Sequence, residues 1–536
     1  MKKTPLDRIE IPNFLSPVRI GFLYLLLPFL IFSLGFIKLI YSIPMVLLLI
    51  WVATKYWNNS KEDSNLSFES KKDLLIGSSI LFFWVVLSGI GGFAFQNPDF
   101  HVRNAIFRDL VAMDWPVIYS YVGQNTNSSY GFVYYIGYWL PSALFGKLLG
   151  WKMANLALFI WTLIGVHITA GLLMKKTRLS FTKSSLLIIF FSGMDFVGVL
   201  ATRIIDHGVY PDIWLPIQHL EWWAPGMQFS SFTTQLFWVF NQAIPAWISL
   251  LLTINLTSKK TIFLIFALCV FLSPISALGL LLVTVLVALT NRDGQGKLID
   301  PLRNKGLNGF SKIVLNEVRE LITIENCLGG GLILFTSLIF FYSSSSDVPR
   351  QVSAVKIETV YFYIIFSLFE WLILWLALFN QYKKNPLFYL VGVFLLVAPS
   401  IMLSGSDVIA RRATTPMLLL LLVWCGEYLH LGKGRHRFLV VILLLLGALT
   451  PVYEINRSIY QTSMYYLNNQ KNPPATGSLY LPNSNKPIFP SRPESDHPGK
   501  LIADEWYTLS VFNPDSMGNW IGSTSNSFFY RYISKR

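Results

Sequence analysis

Charge is what this sequence has least of: Asp, Glu, Lys and Arg make up 13% of its 536 residues, about half the share of an ordinary soluble domain. Hydrophobic residues supply 53% and mean hydropathy is +0.50, which excludes a chain of soluble domains. Cysteine is nearly absent. Cys269, Cys327 and Cys425 lie in or beside apolar runs and read as small core residues, so no disulfide framework is expected. The largest loop expected on the cytoplasmic side, 291 to 325, has no glycine motif able to cradle a nucleotide phosphate. No tight ligand spacing such as HxxxH is present, so no metal site is assigned, although His and acidic residues in one outer loop leave a divalent cation possible. No repeat recurs at a fixed period, and the two related halves common in secondary transporters are missing. Between the first two apolar runs there is no small-residue cleavage site, so the first is expected to remain as a span.

What is there is a succession of apolar runs, most of them long enough to cross or nearly cross a hydrocarbon core of ~30 Å at 1.5 Å per helical residue. They fall at 19 to 36, 39 to 55, 74 to 95, 153 to 174, 184 to 201, 236 to 256, 261 to 273, 275 to 290, 326 to 342, 359 to 379, 386 to 403, 415 to 431 and 438 to 452. The expected fold is an all-α polytopic membrane protein of about 13 transmembrane helices with extracytoplasmic loops and interfacial helices. With the N-terminus inside, the cytoplasmic segments and the span ends bordering them hold 25 of the 43 Lys and Arg, the outer loops 10 and the outer tail 8. The positive-inside rule is then satisfied, and the net charge of +14 reads as a topology signal rather than a nucleic-acid surface. This requires that 131 to 150, rich in Tyr and Trp with Pro141 in mid-run, lie along the outer interface instead of crossing. The run 261 to 290, broken at Ser273-Pro274, reads as a pair of short or re-entrant helices whose break must be buried by protein. Three regions follow: 1–73, two spans and a cytoplasmic loop; 74–452, the membrane region that carries the chemistry; and 453–536, a small extracytoplasmic tail whose aromatic end is expected to pack on the outer loops.

Chemistry-bearing residues gather at three outer loops. NPDFHVRNAIFRDL places Asp99, His101, Arg103, Arg108 and Asp109 directly after the third span. A carboxylate there can accept the proton of an incoming hydroxyl, with Arg or His tuning it; equally, Asp99 and Arg103 have the i,i+4 spacing of a simple ion pair. The second loop sets Asp206, His207, Asp212, His219 and Glu221 among Trp residues that include Trp222 and Trp223. Aromatic faces stack on sugar rings and carboxylates bind their hydroxyls, while the alternative is an interfacial aromatic belt. Asp195, in FFSGMDFVG, falls inside a span, where a carboxylate is a functional candidate or a hydrogen-bonding partner of the next helix. The third loop, SGSDVIARRATTP, carries Arg411 and Arg412 against the positive-inside trend. Guanidinium forks suit phosphate oxygens, whereas mere snorkelling to headgroups is the alternative.

Taken together, these segments resemble the GT-C superfamily of integral-membrane glycosyltransferases. The resemblance is carried by a span followed at once by an Asp-bearing first loop, an interfacial YYIGYWLPSALFGKLLGWKMANLALF segment, and the HLEWWAPGMQFSSFTTQLFWVFNQAIPAW and SDVIARRATTP stretches, over roughly 75 to 430. It points to a bacterial branch of that superfamily, and this chain departs from the GT-C pattern in having two further spans before the first GT-C-like one. The resemblance implies an inverting transferase at the outer face of a bacterial plasma membrane, moving a sugar from a polyprenyl-phosphate or polyprenyl-diphosphate carrier to a cell-envelope glycan, lipid or protein. Asp99 would then be the base, positioned by His101 or Arg103, with Asp109 either supporting it from behind or serving as an alternative base. Arg411 and Arg412 would hold the donor phosphate, and His219, Glu221, Trp222, Trp223 and Asp195 would line the substrate site. No cofactor is implied. Other readings are a polymerase or ligase of lipid-linked glycans, and a transporter or flippase of an anionic lipid-linked substrate.

Overall fold

The computed structural model describes residues 9–535 except 11, 61–66, 98, 123–126, 207–218, 257, 291–316, 345–351, 355–359, 404–405, 469–499 and 503–520. His207, Asp212 and most of the 291 to 325 loop therefore lie outside the described residues, as do the side chains of His101 and Asp206.

Among the described residues nine helices are long and apolar enough to cross a membrane: Pro17–Phe36, Leu39–Asn59, Trp151–Thr177, Phe181–Thr202, Phe232–Asn255, Glu325–Tyr342, Val360–Tyr382, Ile409–Leu431 and Gly434–Met464. Pro274–Leu289 and Pro386–Ser400 are shorter apolar helices. Lys71–Leu87 and Ile262–Leu272, at the third and seventh sequence runs, are helices of 17 and 11 residues. The chain is thus an α-helical membrane protein, and lipid-facing side chains such as Ile40, Leu47, Phe83, Ile364 and Val393 are exposed and apolar. The break expected at Ser273-Pro274 is present, and Ser273 is fully buried there. The 131 to 150 segment forms no long span; Gly150, at φ 85°, turns the short helix Leu140–Leu149 back onto Trp151–Thr177.

Phe232–Asn255 is the hub, nearly all of it buried. Between membrane helices there is little hydrophobic drive, so close packing and internal hydrogen bonds hold the contact. Thr233 Oγ1 accepts from the Trp84 indole at 3.0 Å and donates to the Ile189 carbonyl at 2.7 Å, and Gln235 Oε1 accepts from the Trp247 indole at 3.0 Å. Gly165 lets Trp151–Thr177 approach Ile244 and Tyr24.

Two ends of the bundle can be told apart by their contacts. At one end Ile9–Glu10 pairs with Ser67–Phe68, and the Asp73 carboxylate accepts from Phe181 N at 2.9 Å and Thr182 N at 3.1 Å, capping the helix that begins at Phe181. Lys176 and Tyr382 meet Glu427 at that end, and Asn326 binds Phe263 N. At the other end Ile118–Val122, Asn127–Phe132, Lys500–Ile502 and Ile521–Ser523 form an antiparallel four-stranded sheet, joining the loop after the third apolar run to the tail. Tyr530 covers Gly131 and donates to the Phe132 carbonyl at 2.7 Å, while Phe529 packs among Phe32 and Phe340. Ile37 bridges Ser534, which ties the end of the tail to the turn between the first two helices. The helix assigned to 438 to 452 runs on as Leu449–Asn468, so Glu454 and Arg457 belong to it rather than to a loose tail.

Candidate functional site

At the sheet-bearing end the described parts of the three chemistry-bearing loops come together. The first contributes Asp99–Ala112, the helix whose register puts Asp99 and Arg103 on one face. The ion pair of that spacing forms: Arg103 Nη2 lies 3.0 Å from Asp99 Oδ2, with the Asp99 side chain 45% exposed. Arg103 Nη1 remains buried with no acceptor. Asp109, on the same helix, is turned inward, buried, and accepts from Tyr119 Oη at 2.6 Å.

The third loop runs through the strand Ile401–Leu403, paired with Val352–Ala354, into the π-turn Ile409–Ala413 and the helix Thr415–Leu431. A Cβ at Gly279 would collide with the Ala413 carbonyl, so glycine at this point lets Pro274–Leu289 hold the arginine turn in place. Arg411 is bound to its own loop, Nη2 to Asp407 Oδ1 at 2.7 Å and to Ser406 Oγ at 3.1 Å, which leaves its Nε buried without an acceptor. Arg412 makes no hydrogen bond or ion pair among the described residues, although the charges of Arg411, Arg103, Tyr135 and Asp99 all act on it. Tyr134 and Tyr135 complete the wall: Tyr134 donates to Tyr135, and Gln242 Nε2 donates to Tyr135 Oη at 3.1 Å. Burial holds both phenols above their ordinary range; Arg103 and Arg412 each pull in the opposite direction. Three guanidinium groups with unused donors and two carboxylates thus share one half-exposed corner, with a net positive charge. Such a corner can take an anion of phosphate type beside the free face of Asp99.

The second loop builds a different cluster, one helical turn along Phe232–Asn255 from Gln242. His219 lies between two carboxylates, Nε2 3.4 Å from Glu221 Oε2 and Nδ1 3.3 Å from Glu454 Oε2. Glu221 also accepts from Gln228 Nε2 at 2.7 Å and Ser231 N at 2.9 Å; Glu454 accepts from Trp238 Nε1 and Arg457 Nη2, each at 2.8 Å. Burial alone would lower the His219 pKa, but the Glu221 and Glu454 charges outweigh it and hold the imidazole at about 9. Asp195 stands next to this group, bound by Trp223, Ser192 and Thr450 and adjacent to Glu370. All of these are buried; Trp222 alone among the named second-loop residues is exposed, at 61%, with its ring against His219 and Trp238.

The structure therefore divides the sequence-selected residues into two groups. Asp99, Arg103, Arg411 and Arg412 meet at the corner. Glu221, His219, Trp223 and Asp195 form a separate, buried polar core, and Asn97, whose side chain donates to the Phe237 carbonyl at 2.8 Å and accepts from Asp99 N at 3.1 Å, ties the start of the Asp99 helix to Phe232–Asn255. Sequence reasoning missed Tyr134, Tyr135, Asp407, Glu370, Glu454 and Arg457. Glu370 did leave a signal, as a lone carboxylate inside an apolar run. Among the described residues no group of three or more His, Cys, Asp or Glu side chains is arranged to hold a metal ion.

No known protein family matches the chain. No curated protein and no solved structure is similar to it either.

Proposed function

We propose that this chain is an inverting glycosyltransferase of the bacterial plasma membrane that takes a sugar from a polyprenyl-(di)phosphate carrier at the extracytoplasmic face and delivers it to a cell-envelope acceptor. The observation that carries the reading is the corner where Arg103 Nη1 and Arg411 Nε lack acceptors and the Arg412 guanidinium has no partner among the described residues, beside a half-exposed Asp99. In this reading the acceptor hydroxyl gives its proton to Asp99, and its oxygen attacks the anomeric carbon from the face opposite the phosphate. The carbon–oxygen bond to phosphate breaks, the electron pair stays on the phosphate oxygen, and the arginines bind the added charge. Lipid phosphate is already a competent leaving group, so no general acid is required. The exposed Trp222 offers a ring face to the sugar, and the buried Glu221, His219, Trp223 and Asp195 core holds that loop rigid behind it. The sheet-bearing end would face outward, with the N-terminus in the cytoplasm.

The test is a comparison of Ala and Lys at Arg411 and Arg412, read as affinity for polyprenyl phosphate in detergent. Charge-assisted hydrogen bonds contribute roughly 1.5 to 3 kcal/mol each, so Arg412→Ala is expected to weaken binding about tenfold or more, with Lys restoring it only in part. Equal binding by Arg and Lys at both positions would mean headgroup snorkelling and would remove the main support for this reading.

A further inference from the structure

The buried pair Asp195 and Glu370 takes no part in the proposed transfer. Asp195 opens the helix Asp195–Asp206 directly after a non-helical stretch, 191 to 194, inside the span Phe181–Thr202. Glu370 sits in a π-turn, Leu368–Leu372, in the middle of the span Val360–Tyr382. The two irregularities face each other and are joined through the backbone, Met194 N donating to the Phe369 carbonyl at 3.0 Å. A Cβ at Gly193 would collide with the Glu370 carboxyl, so this approach requires glycine. π-Turns of this kind recur at functional sites because the widened turn frees a carbonyl and redirects a side chain.

Donors around the pair are unequally shared. Asp195 Oδ2 accepts from Thr450 Oγ1 at 2.9 Å and Ser192 Oγ at 3.2 Å. One indole N–H, that of Trp223, serves both Asp195 Oδ1 at 3.1 Å and Glu370 Oε1 at 3.3 Å. Glu370 Oε2 is buried and receives nothing, and the two carboxyl groups lie within hydrogen-bonding reach of one another. No Lys, Arg or His forms an ion pair with either among the described residues. The further charge that acts on both, Glu221, is also negative, and the cations of that cluster, His219 and Arg457, are taken by Glu221 and Glu454. Two adjacent anions in such a place are excluded by desolvation and mutual repulsion. A single proton removes one charge and gives the pair a donor of its own.

We propose that Asp195 and Glu370 form a binding site for one proton within the membrane region, carried on Glu370 and donated to Asp195. The helix start at Asp195 and its hydroxyl donors favour the anion there, whereas Glu370 has only a shared indole. The bound proton then joins three membrane helices, Phe181–Thr202 and Val360–Tyr382 directly and Gly434–Met464 through Thr450. Loss of the proton would leave two anions facing each other across the first two, making their contact dependent on occupancy of the site.

The experiment is infrared spectroscopy of the full chain, purified in detergent at neutral pH, before and after equilibration in D2O. A protonated carboxylic acid has a C=O band separate from that of carboxylate, and the band shifts on deuteration. The wild type is expected to show it, and both Glu370→Gln and Asp195→Asn are expected to remove it, the latter because the new amide can donate to an ionised Glu370. Absence of the band in the wild type, or its survival in either variant, overturns the proposal. A second measurement is thermal unfolding. Glu370→Gln mimics the neutral acid and should melt with the wild type, while Glu370→Ala should melt lower. A Gln variant that melts as low as Ala would show that an anion is needed at Glu370, again against the proposal.

Discussion

Raising the pH through about 9 should uncouple the second-loop cluster from the membrane helices, because that is where His219 loses its charge. The unfolded imidazole titrates near 6.5 and the folded one at about 9, so the folded state holds the proton more tightly. The stabilisation is therefore complete below about 6.5, falls as pH rises from there, and is gone above about 9. At about 1.36 kcal/mol per pH unit, the contribution is on the order of 3 kcal/mol, large against the whole stability of a typical protein. The structure explains the size: the ring lies within 3.4 Å of Glu221 and 3.3 Å of Glu454, nearly free of solvent and stacked on Trp238. The assay is tryptophan fluorescence during thermal unfolding in detergent, measured at intervals from mildly acidic to alkaline pH for wild type and His219→Gln. The wild type should lose melting temperature across that interval and the variant, already lower, should not. A pH step of the same size in His219→Gln would refute the argument, since it would then belong to other groups.

Other outcomes follow from particular contacts. In a Cys327→Ser background, which removes the exposed native thiol, a cysteine at Ser525 should react with an impermeant reagent on intact cells and one at Lys260 only after permeabilisation; the reverse would invert the orientation. Gly279→Ala should displace the arginine turn, because its Cβ meets the Ala413 carbonyl, and lower polyprenyl-phosphate affinity without contacting the ligand; unchanged affinity would show that the turn is not held by this approach. Gly131→Ala should loosen the joint between first loop and tail, seen as faster proteolysis of the tail, since the new methyl occupies the place of the Tyr530 ring.

Much of the membrane architecture was legible because long apolar runs have few other fates. Among the described residues nine of the thirteen runs correspond to helices of spanning length, and Ser273-Pro274 announced its own break. The four-stranded sheet was not legible: its strands are three to six residues long, and the pairing brings Ser120 to Ile502 and Tyr130 to Ser523, partners that no local pattern connects. At the corner, i,i+4 spacing gave the Asp99–Arg103 pair, and the misplaced basic pair drew attention to Arg411 and Arg412. What sequence could not give was which arginine lacked a partner. Arg411 is paired because Asp407 stands one turn earlier, whereas Arg412 points from the same turn toward Arg103 and the tyrosines. The buried acids are a similar case. Asp195 and Glu370 each look like an isolated carboxylate in an apolar run, and only the facing irregularities of two helices make them a pair.

The most direct test of the central claim is single-turnover sugar transfer by the protein reconstituted in vesicles containing a polyprenyl-phosphate-linked radiolabelled sugar, with cell-envelope glycan supplied on the outer side. Wild type is expected to move label into the glycan and release polyprenyl phosphate. Asp99→Asn should bind the lipid normally yet slow transfer by about 10²- to 10⁴-fold, the usual effect of removing a base. Movement of the intact labelled lipid across the bilayer, with its sugar–phosphate bond unbroken and no effect of Asp99→Asn, would contradict the account and make the protein a transporter of the same anionic lipid.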